Sequence, residues 1–211
     1  MNTVYSLLET CRSSVRNSVG VVAKDLNAFS KGKISPNMIT IVGLLAHIPI
    51  AWLIAYGKDE LAAILLIVFG LFDTLDGALA RVQNSASKTG MLLDSITDRA
   101  KEVILYIGVA YTFVAIGRPY MTLWAVAGCG SSLLVSYVNA WGEVVLGQGR
   151  AKTHAMNKAF RTGIMTFEVR MTVLVLGLVF NQLIPAVMII SLLALVTAVS
   201  RFINIAKALK T

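Results

Sequence analysis

The segments DTLDGALAR (residues 73–81) and GMLLDSITD (residues 90–98) carry four aspartates through otherwise apolar sequence. These aspartates are Asp73, Asp76, Asp94 and Asp98. An ionised aspartate inside a bilayer costs roughly 2.5 to 3.5 kcal/mol on insertion scales, so four of them imply a compensating cation. Carboxylate oxygens are the ligands that Mg²⁺, Mn²⁺ and Ca²⁺ prefer. The two segments therefore predict a divalent metal site.

The composition places this site in a membrane. Of the 211 residues, 56% are hydrophobic and 14% are charged, and the mean hydropathy is +0.74. These values are typical of a polytopic membrane protein and leave no room for a large soluble domain, so nucleic-acid binding is not expected. Cys11 and Cys129 lack the spacing of a disulfide framework or a zinc site. The N-terminus lacks the features of a signal peptide.

The predicted fold is an all-α integral membrane protein. Six apolar spans, each near the ~20 residues that cross a bilayer, are predicted at residues 38–57, 61–80, 91–117, 120–142, 164–181 and 183–203. Residues 1–34 are predicted to form an amphipathic interfacial helix, and residues 35–211 the six-helix domain. The alternative for the first segment is a disordered basic tail. The apolar positions that favour the helix are Val4, Leu7, Leu8, Cys11, Val15, Val19, Val22, Leu26 and Phe29.

The basic residues predict the orientation. Seventeen of the nineteen lysines and arginines fall before the first span, in or near the second and fourth connections, or at or after the end of the last span. Only Lys58 and Arg118 fall on the other side. By the positive-inside rule, both termini and the aspartates face the cytoplasm, and we expect a prokaryotic cell membrane.

Helical spacing predicts that the four carboxylates converge. Asp73 and Asp76 are three residues apart and Asp94 and Asp98 are four apart, so each pair lies on one face of its helix. Antiparallel neighbouring helices can turn these faces toward each other. Four carboxylates carry more charge than one divalent ion neutralises, so we expect two ions, Mg²⁺ or Mn²⁺, suited to phosphoryl transfer. Gly77 leaves space beside Asp76, and Arg81 offers a cation to a phosphate.

The complete pattern, D-x2-D-G-x2-A-R-x8-G-x3-D-x3-D, resembles that of the CDP-alcohol phosphotransferases, and every fixed position is matched. The chain is closest in character to the branches that use inositol phosphate or glycerol phosphate. The resemblance implies transfer of a phosphatidyl group from CDP-diacylglycerol, or of the corresponding group from a CDP-activated isoprenoid lipid, to the hydroxyl of a small polar alcohol, with release of CMP. It also implies a homodimer in contact with membrane lipid.

The resemblance further implies a role for each aspartate. Asp73 and Asp94 would bridge two metal ions, Asp76 and Asp98 would each complete one site, and Asp98 would be the general base. The implied nucleotide contacts are Gly77, Arg81, Ser87 and the entry to the first span, Pro36, Asn37, Met38, Ile39 and Thr40. The same entry, SPNMIT (residues 35–40), also fits an ordinary helix cap with Ser35 before Pro36, and both interpretations stay open.

The acceptor is predicted from a basic segment. Residues 150–170 hold six basic or histidine side chains against the single acid Glu168. A positive-inside loop accounts for part of this charge, and the remainder is suited to an acceptor that carries phosphate. The candidate contacts are Lys152, Lys158, Arg161 and Arg170. Against the inositol-phosphate branch, Asn139 and Trp141 stand where that branch tends to have basic residues.

Two other functions remain open from the residues alone. An intramembrane prenyltransferase also uses aspartates with Mg²⁺, but it normally needs more spans and leaves Gly77, Arg81 and Gly90 unexplained. A cation carrier could use membrane aspartates for transport, but the chain shows no internal repeat.

Overall fold

The computed structural model describes residues 17–147 and 164–209, which form α-helices and one 3₁₀ turn, with no β-strand. The first helix, α1, is described over residues 17–30. The other elements are α2 (Pro36–Ala55), α3 (Asp59–Gly70), α4 (Phe72–Val82), α5 (Lys88–Ala115), the 3₁₀ turn (Pro119–Met121), α6 (Thr122–Gly147), α7 (Phe167–Val179) and α8 (Leu183–Ala208).

Four stretches of the described chain are long and apolar enough to cross a membrane, by length and composition: Pro36–Ala55, Asp59–Val82, Pro119–Val145 and Leu183–Ala208. The six predicted spans are therefore confirmed only in part. The first 15 residues of α5 carry six charged side chains, which leaves residues 103–115 as its apolar portion. Helix α7 has 13 residues, about 20 Å at 1.5 Å per residue, which is short for a bilayer core.

The described residues divide into two compact units. The first unit comprises the chain up to Ile50 together with Ile64–Lys101. The second comprises Ala51–Ala63 and the chain from Glu102 onward. All four aspartates of the sequence pattern belong to the first unit.

Helix α1 contributes one stripe to the core of the first unit. Val19 and Ala23 are buried with Ile39 of α2 and with Ala78 and Leu79 of α4, and Leu26 packs against them. Positions 19, 23 and 26 lie on one helical face, as an amphipathic helix requires. Val22 and Phe29, which the sequence placed on the apolar face, are 53% and 88% exposed. Only part of the predicted apolar face of α1 is thus buried against the protein. The interfacial position of the helix stays a prediction, and residues 1–16 lie outside the described chain.

The end of α4 is held in place by hydrogen bonds. Gln83 Nε2 donates to Asn27 Oδ1 at 2.9 Å and to the carbonyl of Ile34 at 2.8 Å. Asn84 then adopts a left-handed conformation with φ 49°, and the backbone N–H of Ser85 donates to the carbonyl of Ala80. This pattern closes a helix with an asparagine at the residue after its end. It turns the chain sharply, so that residues 85–87 lead directly into α5.

Small residues allow close helix packing in the second unit. A Cβ at Gly108 of α5 would collide with the carbonyl oxygen of Ala51. A Cβ at Gly128 of α6 would lie 2.8 Å from the ring of Tyr106 and 3.0 Å from Ser191 Oγ. Thr112 Oγ1 donates to the carbonyl of Ile54 at 2.8 Å. Small residues and hydroxyl groups are the usual means of close contact between membrane helices.

Candidate metal centre and adjoining cavity

A helix interruption places the first two aspartates. The stretch Asp59–Val82 is apolar enough to span a membrane as one segment, yet the helix is interrupted at Leu71 and α4 begins at Phe72. Asp73 therefore lies in the first turn of α4, where a carboxylate is favoured by the helix dipole. Asp76 follows one turn later and is buried.

Three of the four carboxylates lie close together. Asp73, Asp76 and Asp94 each have an oxygen within 4.8 Å of an oxygen of the other two. Ligands of one Mg²⁺ or Mn²⁺ stand ~2.1 Å from the ion and so up to ~4.2 Å apart, which side-chain adjustment of some tenths of an ångström would allow here. Thr40 Oγ1 donates to Asp76 Oδ2 at 2.6 Å and orients that carboxylate.

Asp94 supplies a further test of whether a metal fits. Its Oδ1 is buried and has no hydrogen-bond partner among the residues that the structure describes. A buried carboxylate oxygen without a donor is costly, and a bound cation would satisfy it. The donor set, all carboxylate oxygens, is the one that hard divalent ions prefer. The cluster of Asp73, Asp76 and Asp94 therefore fits Mg²⁺ or Mn²⁺.

Asp98 stands outside this cluster and is flanked by cations. Its Oδ1 lies 3.4 Å from Lys101 Nζ, and its Oδ2 lies 3.4 Å from Arg99 Nη2. Lys101 Nζ also forms an ion pair with Asp73. Lys101 is thus a site residue that the sequence reasoning missed, because we counted it among the charges that set the orientation. Its spacing was a signal, since positions 94, 98 and 101 share one helical face.

A cavity of about 200 Å³ adjoins the cluster. Asp76 and Asp94 form part of its wall, so ligand in the cavity would meet both carboxylates. A Cβ at Gly77 would lie 3.7 Å from Arg81 Nη1, which shows that the guanidinium folds back over that turn of α4. The other lining residues are Pro36, Asn37, Thr40, Ala80, Ser85, Ala86, Ser87, Gly90 and Met91.

Most of the predicted nucleotide contacts line this cavity. The structure brings together Pro36, Asn37, Thr40, Gly77, Arg81 and Ser87. Met38 is 51% exposed and Ile39 lies in the core beside α1, so neither lines the cavity. Helical geometry explains this, because positions 36, 37 and 40 share a face that 38 and 39 do not.

The entry to α2 forms a helix cap and also lines the cavity, and its contact with a nucleotide stays a prediction. Ser35 Oγ accepts a hydrogen bond from the backbone N–H of Met38 at 3.3 Å, which is an ordinary N-cap. The same cap fixes the turn that carries Pro36, Asn37 and Thr40 into the cavity wall. Ser85, Ala86 and Met91 also line the cavity and were missed. Their place in the short connection between two aspartate-bearing helices was the available signal.

The structure supports the predicted acceptor contacts less well than the predicted nucleotide contacts. Lys152, Lys158 and Arg161 lie outside the described residues. Arg170 is 1% exposed, and its Nε and Nη2 donate to the two carboxylate oxygens of the fully buried Glu102 at 2.8 and 3.1 Å. Its Nη1 donates to the carbonyl of Met165 at 3.0 Å. Direct contact between Arg170 and an acceptor would require this buried pair to open.

The chain is similar to known enzymes along most of its length. It is 28% identical over 204 residues to archaetidylinositol phosphate synthase of Pyrococcus horikoshii, covering 97% of this chain and 99% of the relative. It is 34% identical over 116 residues to phosphatidylinositol phosphate synthase of Corynebacterium glutamicum, covering 54% and 53% of the two chains.

The fold also has a close counterpart among solved structures. The crystal structure of Mycobacterium tuberculosis phosphatidylinositol phosphate synthase with CDP-DAG bound superposes with a TM-score of 0.74 at 21% identity, covering 89% of this chain and 92% of that chain. The same enzyme in complex with manganese and citrate gives a TM-score of 0.74 at 22% identity, covering 89% and 88%. A family profile described as CDP-alcohol phosphatidyltransferase matches residues 33–200. With its complete aspartate pattern and a profile match over most of its length, the chain belongs to the CDP-alcohol phosphatidyltransferase family and is a transferase of phosphate-containing groups.

Proposed function

We propose that this protein transfers a phosphatidyl-type group from a CDP-activated lipid to the hydroxyl of a small polar alcohol and releases CMP. The observation that carries the proposal is the cluster of Asp73, Asp76 and Asp94 in the wall of the adjoining cavity. A metal-binding carboxylate cluster beside a space for a diphosphate is the arrangement that such a transfer requires. Membership in the family sets aside the prenyltransferase and carrier alternatives.

The cavity is the proposed site of the cytidine diphosphate. Gly77 has no side chain, so the surface of α4 leaves room for the diphosphate there. Arg81 places its guanidinium beside Gly77, and this cation suits a phosphate oxygen that is not bound by metal. Ser87 Oγ accepts from the backbone N–H of Gly90 at 3.0 Å, so its hydroxyl proton remains available for the donor. The structural neighbour from M. tuberculosis was crystallised with CDP-DAG, which supports this choice of donor.

The aspartates have two proposed tasks. Asp73, Asp76 and Asp94, completed by Asp98, hold two divalent ions, and the ions supply Lewis-acid stabilisation of the transferring phosphoryl group. Asp98 takes the proton from the hydroxyl of the acceptor as general base. Its position supports this task, because it stands outside the three-carboxylate cluster while Lys101 and Arg99 orient its two oxygens.

The proposed acceptor is a phosphorylated polyol, inositol phosphate or glycerol phosphate. Both relatives described above are named as inositol phosphate lipid synthases, one archaetidyl and one phosphatidyl, which favours inositol phosphate. The excess of basic residues in positions 150–161 suits an acceptor with about two negative charges. We propose that Lys152, Lys158 and Arg161 contact it.

The decisive experiment measures CMP release by the purified protein with CDP-diacylglycerol or its archaeol counterpart and a panel of acceptors. The panel is inositol phosphate, glycerol phosphate, serine and free inositol, each with Mg²⁺ or Mn²⁺. We expect activity with a phosphorylated polyol and none without metal. The control is Asp94→Asn, whose CMP release should fall by at least about a hundredfold. Release of CMP only with serine or free inositol would refute the acceptor, and no release with any pair would refute the reaction.

We also propose that the protein resides in a prokaryotic cell membrane with both termini and the aspartate cluster on the cytoplasmic side. The four candidate spans and the distribution of basic residues support this placement. The homodimer stays a prediction.

A further inference from the structure

Lys101 is the most deeply buried cation beside the aspartates within the described part of the first unit. Its side chain is 1% exposed, and Nζ pairs with Asp73 and lies 3.4 Å from Asp98 Oδ1. Gly43 of α2 makes room for it, since a Cβ there would lie 3.9 Å from both Cε and Nζ of Lys101 and 3.6 Å from Phe72. The ammonium group therefore occupies a packed position between two of the four carboxylates.

The charge balance changes once Lys101 is included. The four carboxylates carry four negative charges, and Lys101 and Arg99 return two positive charges. A single divalent ion then neutralises the remainder. A second divalent ion would leave the site with an excess of two positive charges, which a diphosphate of the donor would balance. The net charge therefore favours one divalent ion in the nucleotide-free site. The negative charge of the donor diphosphate favours binding of the second.

The arrangement of the carboxylates also differs between the two proposed metal positions. Asp73, Asp76 and Asp94 already lie within ion-sharing distance, and the bare Oδ1 of Asp94 is available for an ion. A second position, between Asp73 and Asp98, would need the two carboxylates that the Lys101 ammonium now joins, whereas Asp76 and Asp94 of the first position have no recorded contact with it. A divalent ion entering there must compete with a charge that is already in place.

We propose that Lys101 is a built-in counter-cation that makes the two metal positions unequal: one ion binds without nucleotide, and the second binds only together with the donor diphosphate. Lys101 is a positioning residue, because it acts through Asp73 and Asp98. This inference rests on the metal centre proposed above and adds the order in which it fills.

The test is a Mn²⁺ titration of the purified protein followed by electron paramagnetic resonance of free Mn²⁺, with and without CDP. The variants are wild type, Lys101→Met, which removes the charge and keeps the length of the stem, and Lys24→Met, the same change at an exposed position of α1. We expect one Mn²⁺ per wild-type chain without CDP and two with CDP. Lys101→Met should bind the second Mn²⁺ without CDP, at least about tenfold more tightly than wild type. Lys24→Met should behave as wild type.

Each outcome decides the inference. A residue that only supports the fold would lose metal on substitution and would not gain a second ion. Two equivalent Mn²⁺ ions in wild type without CDP would overturn the inference, as would a well-folded Lys101→Met protein that still binds one. If Lys101→Met does not fold, Lys101→Gln, which also removes the charge, is titrated in its place with the same expected result. A wild type that binds no Mn²⁺ overturns the proposed metal centre too, whereas failure of the acceptor panel with normal Mn²⁺ binding overturns only the proposed substrates.

Discussion

Asp94 is the carboxylate whose replacement separates metal binding from folding most cleanly. Its Oδ1 has no hydrogen-bond partner in the described chain, so Asp94→Asn breaks no internal bond at that atom and changes little volume. We expect CMP release to fall by at least about a hundredfold, because the cluster loses a charged ligand. Stabilisation by Mn²⁺, measured as a shift of Tm in detergent, should be lost as well.

The matched control for Asp94→Asn is Asp25→Asn, the same chemical change at an exposed position of α1. It should leave both CMP release and the Mn²⁺-dependent Tm shift unchanged. Near-normal turnover of a folded Asp94→Asn protein at any Mg²⁺ or Mn²⁺ concentration would remove Asp94 from the metal centre.

Asp98 is expected to behave differently from Asp94, because it lies outside the three-carboxylate cluster. Asp98→Asn should still bind CDP-diacylglycerol with at most a moderate loss of affinity. Its turnover should fall by roughly 10² to 10⁴, the range typical of a lost general base. Donor binding by equilibrium methods and single-turnover CMP release measure the two effects separately. A variant that binds no donor would show that Asp98 is chiefly a metal ligand.

Among the helices, the contact of α5 with residue Ala51 offers a sharp test of packing. Gly108→Ala would force a Cβ against the carbonyl oxygen of Ala51, so we expect a loss of about 1 to 3 kcal/mol in the free energy of unfolding. Gly130→Ala is the control, since nothing lies within 4 Å of a Cβ there. Alanine has the higher helix propensity, so this control should be neutral or slightly stabilising. Equal Tm values in detergent for both variants would contradict the packing.

Substitutions in the ion pair between α5 and α7 test the role of Arg170. Arg170→Met should cost about 3 to 5 kcal/mol, because it leaves the carboxylate of Glu102 buried without this partner. The double substitution Glu102→Met with Arg170→Met removes both charges and should recover much of that loss. We also expect the double variant to keep its acceptor KM, measured from initial rates. A raised acceptor KM with an unchanged donor KM would instead show that Arg170 binds the acceptor.

The orientation of the protein in the membrane is testable by chemical labelling. In a background with Cys11 and Cys129 replaced by serine, Lys58→Cys should react with a membrane-impermeant thiol reagent added to intact cells. Lys33→Cys should react only after the membrane is opened. Both lysines are exposed, so accessibility of the side chain does not bias the comparison. The opposite pattern would reverse the proposed sidedness.

Several features of this protein were determined by its sequence alone. The residues that we propose as metal ligands, and their helical faces, follow from residues 73–98, because the i+3 and i+4 spacings of a helix are local. The resemblance of the same pattern indicated the family. Apolar length likewise predicted helices at α2 and α8. The count of six spans stays a prediction, since four spanning stretches are found among the described residues and the charged first part of α5 keeps that helix from being one of them.

The tertiary structure alone decided which charges meet. The sequence analysis counted Lys101 among the charges that set the orientation and predicted Arg170 as an acceptor contact. Lys101 instead pairs with Asp73, 28 residues away, and Arg170 pairs with Glu102, 68 residues away. Thr40 reaches Asp76 across 36 residues. Local periodicity carries no information about such pairs, because they form only where separate helices pack. A buried charge needs an opposite charge beside it, since an unpaired ion in a low-dielectric interior costs too much free energy.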